Sequence, residues 1–232
     1  MRASEDAGWP PSRYRRSGTG FIVRRMSGLH LREATYGERL VGTTRITDVR
    51  RGMVMQRATE LRDTTDRDVL RTTADWVFMG PGVDGRLAPA RADRELLEAL
   101  AGHALTGGSG PDLPSVPDVA PRALPPLEVE PWWTEMDPMG HVNHPRYVDW
   151  CDEAVARWLA ARGVDPIGVI PRFEQVVFRS AAVAGGSVRV EATQTGAGAD
   201  EARFDVAITS AGERVCEATL VRAHLGGAAA WR

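Results

Sequence analysis

The chain has no lysine: all 29 of its basic residues are arginine. Chemistry that needs an amine nucleophile, such as a Schiff base with a carbonyl substrate, is thereby excluded. Cysteine is scarce as well, with only Cys151 and Cys216 in 232 residues. Their spacing matches no metal site and predicts buried thiols in a reducing compartment. No apolar run approaches the roughly 20 residues that span a bilayer. The opening MRASEDAGWPPSRYRR has no apolar core of a signal peptide, so a cytoplasmic protein with no membrane association is expected. An excess of charge is also missing: the formal net charge is -2, which gives no argument for nucleic-acid binding. Gly18-Thr19-Gly20 and Gly196-Ala197-Gly198 lack the third glycine of a dinucleotide fingerprint, and no P-loop or H-E-x-x-H occurs. Gly107-Gly108-Ser109-Gly110, followed by Pro111, misses the spacing of a nucleophile elbow. No cofactor and no metal are expected.

What is present is concentrated in Trp132 to Gly163, WWTEMDPMGHVNHPRYVDWCDEAVARWLAARG. A strand-like run from Leu127 to Glu135 ends in a polar knot holding Asp137, His141 and Asn143. A helix follows, because Tyr147, Trp150, Cys151, Ala154, Val155, Trp158 and Leu159 recur at three- and four-residue steps while Arg146, Asp149, Asp152, Glu153 and Arg157 fill the other face. Pro145 suits its first turn and places His144 or Asn143 at the cap; Gly163 supplies the stop. The knot therefore sits at a helix N-terminus, where N–H groups without intrahelical partners favour developing negative charge.

D-P-M-G-H-V-N-H-P-x-Y-x-x-W, read from Asp137 to Trp150, resembles the signature of hotdog-fold thioesterases, the 4-hydroxybenzoyl-CoA and acyl-carrier-protein thioesterase group. The resemblance implies hydrolysis of an acyl thioester of coenzyme A or of an acyl-carrier protein. Asp137 is then general base or nucleophile, Asn143 positions, and His141 assists proton transfer. Gly140 allows close approach of the backbone, and His144 and Tyr147 line the substrate. Plant-type relatives add an acidic residue on the strand after the helix, but Phe178-Arg179-Ser180-Ala181-Ala182 has none.

Strand signals without helical period fill Gly20 to Glu33, Arg39 to Asp48, Gly52 to Arg62 and Asp68 to Met79. They resume at Val169 to Val183, Ser187 to Thr195, Glu201 to Ala211 and Glu213 to Leu225. Ala202, Phe204, Val206 and Ile208 alternate with Arg203, Asp205 and Ala207, as in a sheet with one covered face. Laying Gly20–Arg45 on Gly168–Thr193 aligns the two series without a gap at an offset of 148, and an offset of 146 lays Val69, Thr73 and Gly80 on Val215, Thr219 and Gly226. The expected fold is α+β: a tandem, double hotdog with antiparallel sheets wrapping a long central helix, whose first copy lacks its initial strand and most of its helix. Residues 1–80 form the partial repeat, 81–126 a Gly/Pro-rich linker with a helix at Arg91 to Leu105, and 127–232 the complete repeat. That helix, or a second subunit in a homodimer, is expected to cover the bare sheet of the first copy. Glu33, in the segment of copy one equivalent to 178–182, is a candidate to complete the site from the other half.

Each candidate also has a purely structural reading. Asp137 before Pro138 suits a turn, His141 can bond the loop backbone, Asn143 can serve only as a cap, and Tyr147 and Trp150 can pack in the core. Arg13, Arg15, Arg16, Arg24 and Arg25 can hold coenzyme A phosphates or an acidic carrier protein, or form a solvated face. Two other functions share this architecture: a hotdog dehydratase or hydratase, and a catalytically silent acyl-binding protein.

Overall fold

A computed structural model of the chain describes residues 5, 8–84, 86–101 and 110–231. The chain divides into two compact units, Met1–Pro111 and Asp112–Arg232.

The first unit runs α1 (Pro11–Ser17), β1 (Gly20–His30), β2 (Leu40–Arg50), β3 (Val54–Asp63), β4 (Asp68–Pro81), β5 (Leu87–Pro89) and α2 (Arg94–Ala101). Its long strands pair antiparallel in the order β2-β3-β4-β1, with β5 on the end of β4. Arg51, Gly52 and Met53 join β2 to β3; Arg51 and Gly52 stand at φ of 55° and 66°, left-handed central residues of a turn closed by the Met53 N–H on Arg50 O at 3.0 Å. Leu96 and Leu100 of α2 pack with Trp9, Met55 and Phe78 into a buried core. The expected helix therefore covers one end of this sheet; positions 102–105 of that expectation, and 107–109 of the glycine run, lie outside the described residues.

The second unit runs β6 (Asp118–Ala123), β7 (Leu127–Val129), α3 (Pro145–Ala160), β8 (Val169–Phe178), β9 (Val188–Ala197), β10 (Glu201–Ser210) and β11 (Glu213–His224). Its strand order is β8-β11-β10-β9-β6, with β7 also on β9. Helix α3 buries the seven residues picked out by periodicity, and Trp158 meets Phe204 of β10 edge-on at 6.0 Å. Beyond its end, Gly163 at φ 73° turns the chain so that the Val164 N–H donates to Leu159 O. Along β10, Ala202, Phe204, Val206 and Ile208 are buried and Arg203, Asp205 and Ala207 are not.

Arg222 of β11 is a charged residue inside this core, its side chain 1% exposed. Its Nε donates to Asp152 Oδ1 of α3 at 2.7 Å and its Nη1 to Phe173 O at 2.9 Å. Glu174 Oε2 lies 3.5 Å from Nη2. The guanidinium thus ties helix to sheet through groups that replace its lost hydration.

Both sequence offsets preserve the pairing of the strands. Phe21–Phe78 of β1/β4 corresponds to Val169–His224 of β8/β11, and each pair skips one residue at the equivalent bulge, Arg24 in β1 and Arg172 in β8.

Several boundaries differ from those read in the sequence. The strand expected from Leu127 to Glu135 stops at Val129, since Pro131 has no N–H to continue a ladder, and Trp133–Glu135 is a 3-10 turn. Strand β1 ends at His30, short of Glu33, and β8 at Phe178, short of Val183. Within the stretch read as linker, β6 pairs with the edge of β9, all six residues exposed, the position at which Pro121 is tolerated in a sheet.

Candidate active site

The polar knot is a short β-hairpin. Asn143 N–H donates to Glu135 O at 2.8 Å, Met136 and Val142 form an antiparallel bridge, and Asp137 N–H donates to His141 O at 2.7 Å. Alternation along the paired segments puts Asp137, His141 and Asn143 on one side and Met136 and Val142 on the other. Val142 is buried, and its N–H donates to Ala182 O at 2.9 Å. The 137/141/143 spacing is therefore the spacing of one hairpin face.

The tip needs glycine for its backbone. Gly140 N–H closes a turn on Asp137 O at 3.0 Å, and Gly140 stands at φ 78° with nothing within 4 Å of an added Cβ. Within the chain it is the left-handed conformation, not crowding, that demands glycine here.

Asp137 Oδ1 accepts the N–H groups of Met139 at 2.8 Å and His141 at 3.2 Å. That is the turn-forming role, and it also fixes the carboxylate. Its Oδ2 has no hydrogen bond among the described residues, nor do the side chains of His141, half-buried, and Asn143, exposed. Three polar groups on one face are thus left for solvent or ligand.

The helix end fits its expected role only in part. His144 is the capping position, in helical conformation and without a side-chain cap bond, its ring edge-on to Phe178 at 6.2 Å. Asn143 N–H is taken by Glu135 O, Arg146 N–H donates to Asn143 O at 2.9 Å, and Pro145 has none to give. Tyr147, expected to line substrate, belongs to the core. It is 2% exposed, packs on Trp150 and Phe178, and its hydroxyl accepts the Ala182 N–H at 2.9 Å. Burial raises its phenol above the ordinary range.

Glu135 was not singled out in the sequence. Its side chain is 10% exposed and 3.1 Å from Arg146 Nε, and Oε2 accepts the Trp132 N–H at 2.8 Å. It fastens the base of the hairpin to the first turn of α3. The available signal was its place two residues before Asp137. Glu33 lies in the first unit, exposed, just beyond β1. Arg13 is paired with Glu95 and stacked 3.6 Å over Trp9. Both cysteines are free and buried; burial raises the Cys151 thiol well above its usual range and pushes Cys216 up to about 12. Among the described residues no cluster of His, Cys, Asp and Glu could hold a metal, and no helix is long and apolar enough to cross a membrane.

Residues 131–228 match the model of the Thioesterase-like superfamily. No curated protein matches the sequence. Among solved structures, one assigned as an oleoyl thioesterase of Lactobacillus plantarum superposes with a TM-score of 0.76 at 19% identity, covering 97% of this chain and 84% of that one. The 12:0-ACP thioesterase of Umbellularia californica gives 0.69 at 16% identity, over 95% and 84%. An acyl-ACP thioesterase of Bacteroides thetaiotaomicron gives 0.67 at 14%, over 94% and 83%. At such identities the likeness speaks for fold. The chain thus has a hotdog-like fold of the kind seen in these structures, and its residues 131–228 match the model of the thioesterase-like superfamily.

Proposed function

We propose that the chain hydrolyses acyl thioesters of coenzyme A or of an acyl-carrier protein, with Asp137 as general base on water or as nucleophile. The observation that carries this reading is the hairpin face: a carboxylate held by two backbone amides through Oδ1, with Oδ2, His141 and Asn143 unengaged beside it. Asn143 orients the thioester carbonyl or the water, and His141 moves the proton to the leaving thiol. His144 and Gly140 border the substrate. The negative charge developing on the carbonyl oxygen is met at the N-terminal end of α3.

The proposal extends to architecture. The shared strand order and the matching bulges at Arg24 and Arg172 support a double hotdog in which the first copy has no counterpart of α3 among its described residues. The expected setting is cytoplasmic, as a monomer or homodimer.

The test is release of free thiol from a panel of acyl-CoA and acyl-carrier-protein thioesters. Turnover by the wild type that falls at least about a hundredfold in Asp137→Ala supports the reading. Tight binding without turnover would instead make the chain an acyl-binding protein, and hydration of an enoyl thioester would make it a hydratase.

A further inference from the structure

Among the arginines of the first unit's strands, Arg25 is exposed to solvent, whereas Arg57 of β3 is half-buried and still has no acid beside it. Arg32, Arg45, Arg50, Arg62 and Arg71 each pair with an acid. Arg57 is half-buried and has neither an ion pair nor a hydrogen bond among the described residues; its guanidinium lies 4.4 Å over the ring of Trp76. Burial pulls it below the ordinary arginine range.

Register explains the isolation. Arg57 stands opposite Ile46 and Ala74, with Met55 and Thr59 flanking it on its own strand and Trp76 diagonal to it. None of these is charged. Glu60, Asp75 and Asp48 occupy alternate positions, and so face the other side of the sheet. In the equivalent pairing of the second unit, Arg57–Ala74 becomes Phe204–Leu220. Phe204 is fully buried there and packs on Trp158 of α3. The first unit thus presents a cation where the second presents a ring to its helix.

We propose that Arg57 and Trp76 form a binding site for a small amphipathic carboxylate, an acid with an apolar tail. One guanidinium fork matches one carboxylate through two parallel N–H···O bonds and neutralises its single charge. A phosphate dianion would be left with uncompensated charge in a half-buried place. Trp76, Met26, Ala74 and Ile46 give the tail an apolar bed on the same face. The site goes beyond thioester hydrolysis and does not require it.

The experiment is calorimetric titration of the full chain at neutral pH with octanoate, decanoate and dodecanoate, with the primary alcohols of the same lengths, and with inorganic phosphate. The carboxylates should bind roughly tenfold to a hundredfold more tightly than the alcohols, and Arg57→Met should abolish that preference. Arg57→Lys, which keeps the charge but loses the fork, should retain only part of it. Equal binding of acid and alcohol by the wild type would overturn the proposal without any variant. So would absence of carboxylate binding, preference for phosphate, or a folded Arg57→Met that binds as the wild type does. Because no turnover is measured, a chain inactive on every thioester still answers the question.

Discussion

Replacing Asp137 by asparagine and by alanine separates its two roles. The carboxylate Oδ1 holds the Met139 and His141 amides, and hydrogen bonds to charged groups contribute about 1.5–3 kcal/mol each, neutral ones about 0.5–1.5. Asparagine keeps an acceptor in place, so it should cost about 1–2 kcal/mol in the hairpin. Alanine loses both bonds and should cost about 2–4 kcal/mol, lessened by water reaching the exposed tip. For a chain of this size each kcal/mol shifts Tm by about 2–4 °C, and the alanine variant should melt measurably below the asparagine one. Activity should not follow that order. Neither side chain can act as base or nucleophile, so both should lose roughly 10²–10⁴-fold in kcat for thioester hydrolysis. Thermal melts and thiol-release kinetics on the three proteins decide it. If Asp137→Asn keeps a tenth or more of wild-type kcat, or if kcat declines in step with Tm, the carboxylate is only a turn former and the proposed chemistry fails.

The buried Arg222 makes a second prediction. Asp152→Ala should lower the urea unfolding free energy by about 1–2 kcal/mol, the value of a charge-assisted bond reduced because Asp152 is 42% exposed; Arg222→Ala should cost about 3–5. Equal, small effects would refute the anchoring role. Acid sensitivity should arise in the first unit. The hydrogen bond from Arg32 holds Glu38 at about 2, and the Arg67 amide, aided by Thr65 and the Arg67 guanidinium, holds Asp63 well below its usual range. Both carboxylates bind fewer protons folded than unfolded, so their stabilisation is complete only above about pH 5 and is lost progressively as pH falls from there through their lowered folded values. The Tm deficit of Arg32→Gln should accordingly be largest near neutrality and vanish in acid, whereas a deficit constant with pH would contradict this. At the hairpin tip, Gly140→Ala forces a Cβ into a left-handed conformation costing about 1–2 kcal/mol, and Gly140→Asn should retain more thiol-release activity than it does; the reverse order would mean that φ is not the constraint.

Patterns carried by a single element were legible in the sequence, and those that depend on pairing were not. The apolar face of α3 and the alternation of β10 follow from periods of 3.6 and 2, and both were readable residue by residue. The cluster of Asp137, His141 and Asn143 was visible as spacing, yet its hairpin geometry also recruits Glu135, which no motif marked. Strand ends slipped where Arg32 and Ser180 continue an extended-looking run but share the carbonyl already used by the residue before them, Val69 O and Val215 O, instead of extending the ladder. Strand β6 was hidden because Pro121 argues against a sheet until an edge is available. The isolation of Arg57 depends on which residues of β2 and β4 stand opposite it, a fact of register rather than of local sequence.

The matching bulges have a consequence for how this chain tolerates changes in length. The two offsets between the halves differ by two residues, and that difference falls between elements whose pairing remains in step. Added or deleted residues in the turns at 64–67 or 198–200 should therefore leave both sheets intact. Deleting Arg172 from within β8 would remove the unpaired position and turn the residues on one side of it over, exchanging the buried Phe173 row for its solvent-facing neighbours. Loop lengths are free to drift in such a molecule, while the single unpaired residue within each of the two strands is not.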